Sequence, residues 1–199
     1  MFFSCFYGTK ASGLENIPLT GGVIIACNHR SNIDPPAVCY FVERVRVSRF
    51  MTKKELFDVP FLGTALRQAD CISVDRKRPG GDLAALRKTI ELLKAGHMVV
   101  IFPEGTRSRD GQPLEPKLGL GLIAAKSGAP VVPVRLEGTA GFPFTRRITL
   151  AVGKPIRFEK TATAGEAAKT AYAEISRKVM EAISSLTEEN APSAAAEKP

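Results

Sequence analysis

Three short runs of the chain, residues 22–28, 97–102 and 131–136, are apolar at nearly every position and rich in Val and Ile. Runs this short and this uniformly apolar read as strands covered on both faces, because a half-exposed strand would alternate. The stretches between them carry helix signals. Residues 82–95 place Leu83, Leu86, Ile90 and Leu93 at 3-4-3 spacing, with Arg87, Lys88, Glu91 and Lys94 on the other face and Gly96 as a stop. Asp34-Pro35-Pro36 opens a helix to residue 42, since proline is tolerated in a first turn. Shorter helices are expected at 60–69 and 118–127, and a long one at 166–186. Further strands are expected at 45–51, 71–74 and 147–152. Strands separated by helices predict an α/β fold: a single domain, residues 1–186, with a mainly parallel central sheet flanked by helices on both faces. After residue 186 apolar periodicity stops, and residues 187–199 are expected to be a disordered tail.

Such sheets gather ligands at the carboxyl ends of their strands, and both chemically loaded segments of the chain fall there. The run 22–28 leads into Asn28-His29-Arg30-Ser31-Asn32-Ile33-Asp34. On a continuous helix, residues five apart point about 140° away from each other, so His29 and Asp34 can meet only if the intervening residues turn. In such a turn Asp34 would accept a hydrogen bond from one ring nitrogen and leave the other as a base. The plainer alternative is Asp34 as a helix cap beside a polar loop histidine. The run 97–102 leads into Pro103-Glu104-Gly105-Thr106-Arg107-Ser108, which groups a carboxylate, a flexible glycine, a hydroxyl and a guanidinium fork suited to phosphate or carboxylate oxygens. Taken singly, Glu104 could be a turn cap and Arg107 a surface ion pair.

Composition narrows the partner. Twenty-eight Lys and Arg against 20 acidic residues give a net charge of +8. That excess suits an anionic partner, unless it serves solubility alone. The cations are dispersed and not interleaved with aromatic residues, so no nucleic acid is expected. Cys5, Cys27, Cys39 and Cys71 show no ligand-like spacing and the chain has two histidines, so neither metal nor other cofactor is expected. The cysteines read as reduced, in a cytosolic setting. No apolar stretch approaches the roughly 18 residues a membrane span needs. The apolar start, with Phe2, Phe3, Phe6 and Tyr7, either caps the core or dips into a membrane interface.

The two loop motifs, with three further blocks in the same order, resemble the family of glycerolipid acyltransferases that acylate 1-acylglycerol-3-phosphate. The first block is the His-x4-Asp motif at His29 and Asp34. Met51-Thr52-Lys53-Lys54-Glu55-Leu56 resembles a lysine-bearing segment, and Ile72-Ser73-Val74-Asp75-Arg76 the family's arginine block. Residues 102–108 match its Phe-Pro-Glu-Gly-Thr-Arg-Ser block. Lys117-Leu118-Gly119 with Val131-Val132-Pro133-Val134 resembles its last block. Asp70 stands where the arginine block often has glycine, and Pro116 where the last block often has phenylalanine.

The resemblance implies transfer of an acyl group from acyl-CoA or acyl carrier protein to the sn-2 hydroxyl of 1-acylglycerol-3-phosphate. His29 would take the hydroxyl proton and Asp34 would orient its ring. Arg76 and Arg107 would hold the acceptor phosphate, Glu104 would help fix the acceptor or the histidine, Gly105 and Thr106 would shape that pocket, and Lys54 would be a further cation for phosphate or oxyanion. The partners implied are the thioester donor, a lysophospholipid acceptor and a membrane surface, met peripherally from the cytoplasmic side. Another lysolipid or glycerol 3-phosphate as acceptor, or a non-catalytic lipid-binding module, are the alternatives.

Overall fold

The computed structural model describes residues 7–75, 77, 82–107, 114–159 and 165–187. In chain order its strands are β1 (Gly8–Ser12), β2 (Val23–Cys27), β3 (Ser48–Lys53), β4 (Ile72–Val74), β5 (Met98–Ile101), β6 (Val131–Glu137) and β7 (Arg147–Val152). Its helices are α1 (Asp34–Val42), α2 (Leu62–Gln68), α3 (Leu83–Lys94), α4 (Leu118–Ser127) and α5 (Gly165–Ser185). The strands form one sheet in the order β1-β7-β6-β2-β5-β3-β4. Strands β6, β2, β5, β3 and β4 are mutually parallel, and β7 is antiparallel to β6 with β1 parallel beside it. The expected α/β fold with a mainly parallel sheet is therefore present.

Burial explains the uniformly apolar runs. Every residue of β2 is buried, because successive side chains serve opposite faces. Ile24 and Ala26 join Val99 and Ile101 beneath α3, α4 and α5. Val23, Ile25 and Cys27 pack with Val38, Phe41 and Val42 of α1. Helices cover both faces.

The structure corrects three local expectations. Strand β3 starts at Ser48 and not at 45, because the Val45 and Arg46 amides bond back to Val42 O and close α1. The Arg46 guanidinium then ties Pro18 O, Gly21 O and Gly96 O together at 2.7–2.9 Å. Helix α3 buries Ala85, Thr89, Leu92 and Leu93, whereas Leu83 is exposed. Strand β1 was not expected at all. Its sequence, Gly-Thr-Lys-Ala-Ser, carries no apolar alternation, and it is the edge strand on β7. Helix α5 ends at Ser185, beside the expected boundary; the residues from 188 onward lie outside those described.

Candidate active site

Strands β2 and β5 are hydrogen-bonded neighbours, with Ala26 opposite Ile101. The two motif loops therefore leave the sheet side by side. Asn28 prolongs the β2–β6 ladder with its side chain: its amide nitrogen donates to Leu136 O at 2.9 Å, and its Oδ1 accepts from the Leu136 amide at 2.8 Å. With Asn28 fixed, the chain turns at His29.

Asp34 opens α1, yet its carboxylate does not cap that helix. It folds back into the preceding loop. Its Oδ2 accepts from His29 Nδ1 at 2.8 Å and from the Arg30 and Ser31 amides at 2.6 and 2.7 Å. Asp34 is 1% exposed. Three donors converging on one buried carboxylate oxygen commit the histidine to the Nδ1–H tautomer, which leaves Nε2 with a free lone pair. The ring stacks on Phe102 with centroids 4.3 Å apart. Ser31 Oγ instead accepts the Ile33 amide at 3.3 Å.

Glu104 joins the loops. It is buried; its Oε1 accepts the His29 amide at 2.9 Å and its Oε2 accepts the Leu114 amide at 3.3 Å. Its contact is thus with the backbone of the histidine loop. Gly105 adopts φ 65°, and a Cβ there would lie 2.8 Å from Lys117 Cδ. The Lys117 side chain drapes across the glycine, while its amide donates to Pro103 O at 2.9 Å. Thr106 and Arg107 follow on the exposed part of the loop. Lys54 lies on the short 3-10 turn after β3, its Nζ 3.7 Å from Asp75 Oδ2. Arg76 lies outside the described residues.

A cavity of about 210 Å³ adjoins the loops. Met51, Val74, Leu86, Ile101, Leu120 and Ile123 make its walls apolar, and Phe102, Gly105, Lys117, Asp75 and Asp82 ring the polar end. Asp82 caps α3 through the Ala85 amide at 3.1 Å and accepts the Asp75 amide at 2.8 Å, holding that rim in place. A larger cleft, about 410 Å³, lies at the opposite ends of the strands between Pro18, Lys94, Ser127 and Arg157. It offers cations but no base.

Cys27, directly beneath this loop, is buried, and burial together with the carboxylates of Asp34 and Glu104 pushes its thiol pKa well up. It stays a neutral thiol and is no nucleophile. His29, Asp34, Glu104 and Gly105 are thus brought together as expected. Lys117, Asn28 and Phe102 are residues whose part could not be read from spacing. Lys117 is one residue before α4, and only the fold lays it over a glycine twelve positions earlier.

The acyltransferase family model matches residues 8–137. A chloroplastic 1-acyl-sn-glycerol-3-phosphate acyltransferase of Brassica napus is 36% identical over 135 residues, 67% of this chain and 38% of that protein. The Bacillus subtilis protein of the same name is 34% identical over 152 residues, 75% of this chain and 74% of that one. The crystal structure of the 1-acyl-sn-glycerophosphate acyltransferase PlsC from Thermotoga maritima superposes with a TM-score of 0.65 at 30% identity, covering 92% of this chain and 75% of that one. The match runs through β2, β5 and both loops that leave them, and the chain belongs to the acyltransferase family.

Proposed function

We propose that this chain moves a fatty acyl group from a thioester, acyl-CoA or acyl carrier protein, to the sn-2 hydroxyl of 1-acylglycerol-3-phosphate, giving phosphatidic acid. The observation that carries this reading is the His29 ring, held at Nδ1 by a buried carboxylate with Nε2 left over. Nε2 takes the acceptor proton as the oxygen attacks the thioester carbonyl. Asp34 stabilises the imidazolium, which then returns the proton to the departing thiolate. Exposed cations of the second motif loop and its neighbour, Arg107 and Lys117, together with Lys54 of the lysine-bearing segment and Arg76 of the arginine block, meet the acceptor phosphate. The apolar cavity takes a chain of the donor or acceptor. The names of the relatives, all 1-acylglycerol-3-phosphate acyltransferases, support this acceptor.

Of the two parts expected of Glu104, fixing the acceptor or fixing the histidine, its contacts favour the second. Its bonds to the His29 and Leu114 amides support a role in positioning the histidine loop rather than in touching the acceptor. No helix among the described residues is long and apolar enough to cross a membrane. Contact with the lipid acceptor is proposed at the cytoplasmic face of a membrane.

Incubation with palmitoyl-CoA and an equimolar mixture of lysolipids, followed by mass spectrometry of the products, tests the assignment. Phosphatidic acid as the main product supports it. A different phospholipid would reassign the acceptor, and no acylated product despite vesicle binding would make the chain a lipid-binding module.

A further inference from the structure

The residues between β3 and β4 form a lobe that the domain barely covers. Of the seven residues of α2, Gly63 alone is buried. It sits where a Cβ would come within 2.0 Å of Phe57 O, so the helix packs on its own preceding 3-10 turn. The Arg67 guanidinium donates to the same Phe57 carbonyl at 2.9 and 3.1 Å. What the lobe turns outward is apolar: Leu56, Val59, Phe61 and Leu62 are all exposed.

Phe61 is the extreme case. It is 91% exposed, and its backbone holds φ 62°, ψ −49° in a tight turn closed by the Leu62 amide on Pro60 O at 2.7 Å. Turns of this hand are strained for any residue with a Cβ. A large ring is here held in solvent by a conformation that glycine would adopt more easily. Burial within the domain does not account for it.

A second such ring stands on the other flank. Phe144, also 91% exposed, lies in the loop from β6 to β7. That loop leaves the carboxyl end of β6, the same end of the sheet at which β3 runs into the lobe. In the sheet order β6-β2-β5-β3, the strands carrying His29 and Glu104 lie between the two rings. The separation from β6 to β3 is three strand spacings, roughly 14 Å. Leu19 and Val47, other strongly exposed apolar residues, precede β2 and β3 and so lie at the opposite end. Exposed cations fringe the two rings: Lys53, Lys54 and Lys77 beside the lobe, and Arg146 two residues after Phe144. The first three share Glu55 and Asp75 at 3.7–3.8 Å, pairs too long and too exposed to hold those cations back from another anion.

We propose that the two flanks of the site, Phe61 with its lobe and Phe144, dock this end of the sheet on a lipid bilayer, so that His29 faces the headgroup layer. Apolar rings ringed by lysine and arginine match the boundary between acyl chains and anionic headgroups. This deepens the reading of the site as one that acylates a lipid and rests on it.

The test uses the full chain with sedimented vesicles of phosphatidylcholine and phosphatidylglycerol in equal parts. A Phe61→Ser, Phe144→Ser double variant loses about tenfold or more in vesicle partitioning, and a Leu19→Ser, Val47→Ser pair changes it by less than about twofold. The rim variant keeps its turnover with a short-chain acceptor dissolved as monomers. Phe61→Gly separates docking from folding: it weakens vesicle binding while raising Tm by about 2–4 °C as the turn relaxes. Vesicle binding unchanged in the rim variant, or lost equally in the Leu19, Val47 pair, overturns the proposal. So does a parent dimer that the rim variant dissociates while vesicle binding persists, since the face would then belong to a second copy. Rim-dependent vesicle binding by a parent chain that acylates no dissolved acceptor would instead overturn the catalytic reading and leave the docking face standing.

Discussion

In the proposed reaction His29 gives one nitrogen to Asp34 and uses the other as the base, so single substitutions separate the proposed base from its orienter. Replacing His29 with Ala is expected to lower kcat by about 10²–10⁴-fold. Asp34→Asn keeps the size of the side chain, but its amide can donate to Nδ1 and so favours the wrong tautomer. It is expected to lower kcat by a similar order with the acceptor KM nearly unchanged, measured as steady-state thiol release. Gly105→Ala meets two obstacles: a positive φ, and Lys117 Cδ 2.8 Å from the new Cβ. A stability loss of about 1–2 kcal/mol and a raised acceptor KM are expected, because the lysine must swing away from the loop. Urea denaturation and initial rates on the same sample check both. At this scale the sequence shows its residues well and their partners poorly. The link from Asp34 to His29 was readable because five positions and a Pro-Pro helix start leave room for one turn. The bond from Glu104 to the His29 amide crosses 75 positions and follows only from the pairing of β2 with β5.

Secondary-structure elements were legible where periodicity met a stop signal. Helix α4 runs over Leu118–Ser127 with Gly128 in the left-handed conformation after it, as its spacing predicts. Helix α3 packs Leu86, Ile90 and Leu93 of its expected face against the core, leaves Leu83 exposed, and adds buried residues that the spacing does not mark. Its small residues Ala85 and Thr89 lie against the sheet side, with Thr89 Oγ donating to Ala85 O at 2.7 Å, and leucine spacing alone does not report that. The antiparallel run of β7 was equally illegible, since alternation carries no direction. Asn28 is expected to matter more than its loop position suggests. Asn28→Ala removes both amide bonds to Leu136 and leaves that peptide unpaired, a loss of about 1–3 kcal/mol by chemical denaturation. Asp70 has φ 53°, which is why glycine suits that position, and its carboxylate accepts from Arg49 Nε at 2.9 Å. That bond holds the Asp70 pKa below its ordinary value. The stabilisation is present above the unfolded pKa of about 4 and fades as pH falls through the lower folded value. Asp70→Gly therefore gains stability relative to the parent chain as pH drops below about 4, seen by comparing Tm at pH 7 and pH 3.

The whole molecule divides its sheet into two ends with different work. At the amino ends, Arg46 binds three carbonyls and fastens β2, β3 and β5 together. At the carboxyl ends lie the histidine loop, the glutamate that holds it, the apolar cavity and the exposed rings. This polarity was partly visible beforehand, since both motifs directly follow apolar runs in parallel strands. The cavity was not, because its walls come from β3, β4, α3, β5 and α4, and no single segment carries its shape. The net charge of +8 likewise suits an anionic partner or solubility alone, and places neither.

The proposed step is a proton transfer by one imidazole, oriented by a buried carboxylate, during thioester acyl transfer. It is tested by timing free-thiol release from palmitoyl-CoA with and without lysophosphatidic acid, in the parent chain and in His29→Ala. Release that needs the acceptor, equals phosphatidic acid mole for mole, and disappears in the variant is the outcome the site geometry predicts. Release at the parent rate from His29→Ala, or release that ignores the acceptor, would contradict it.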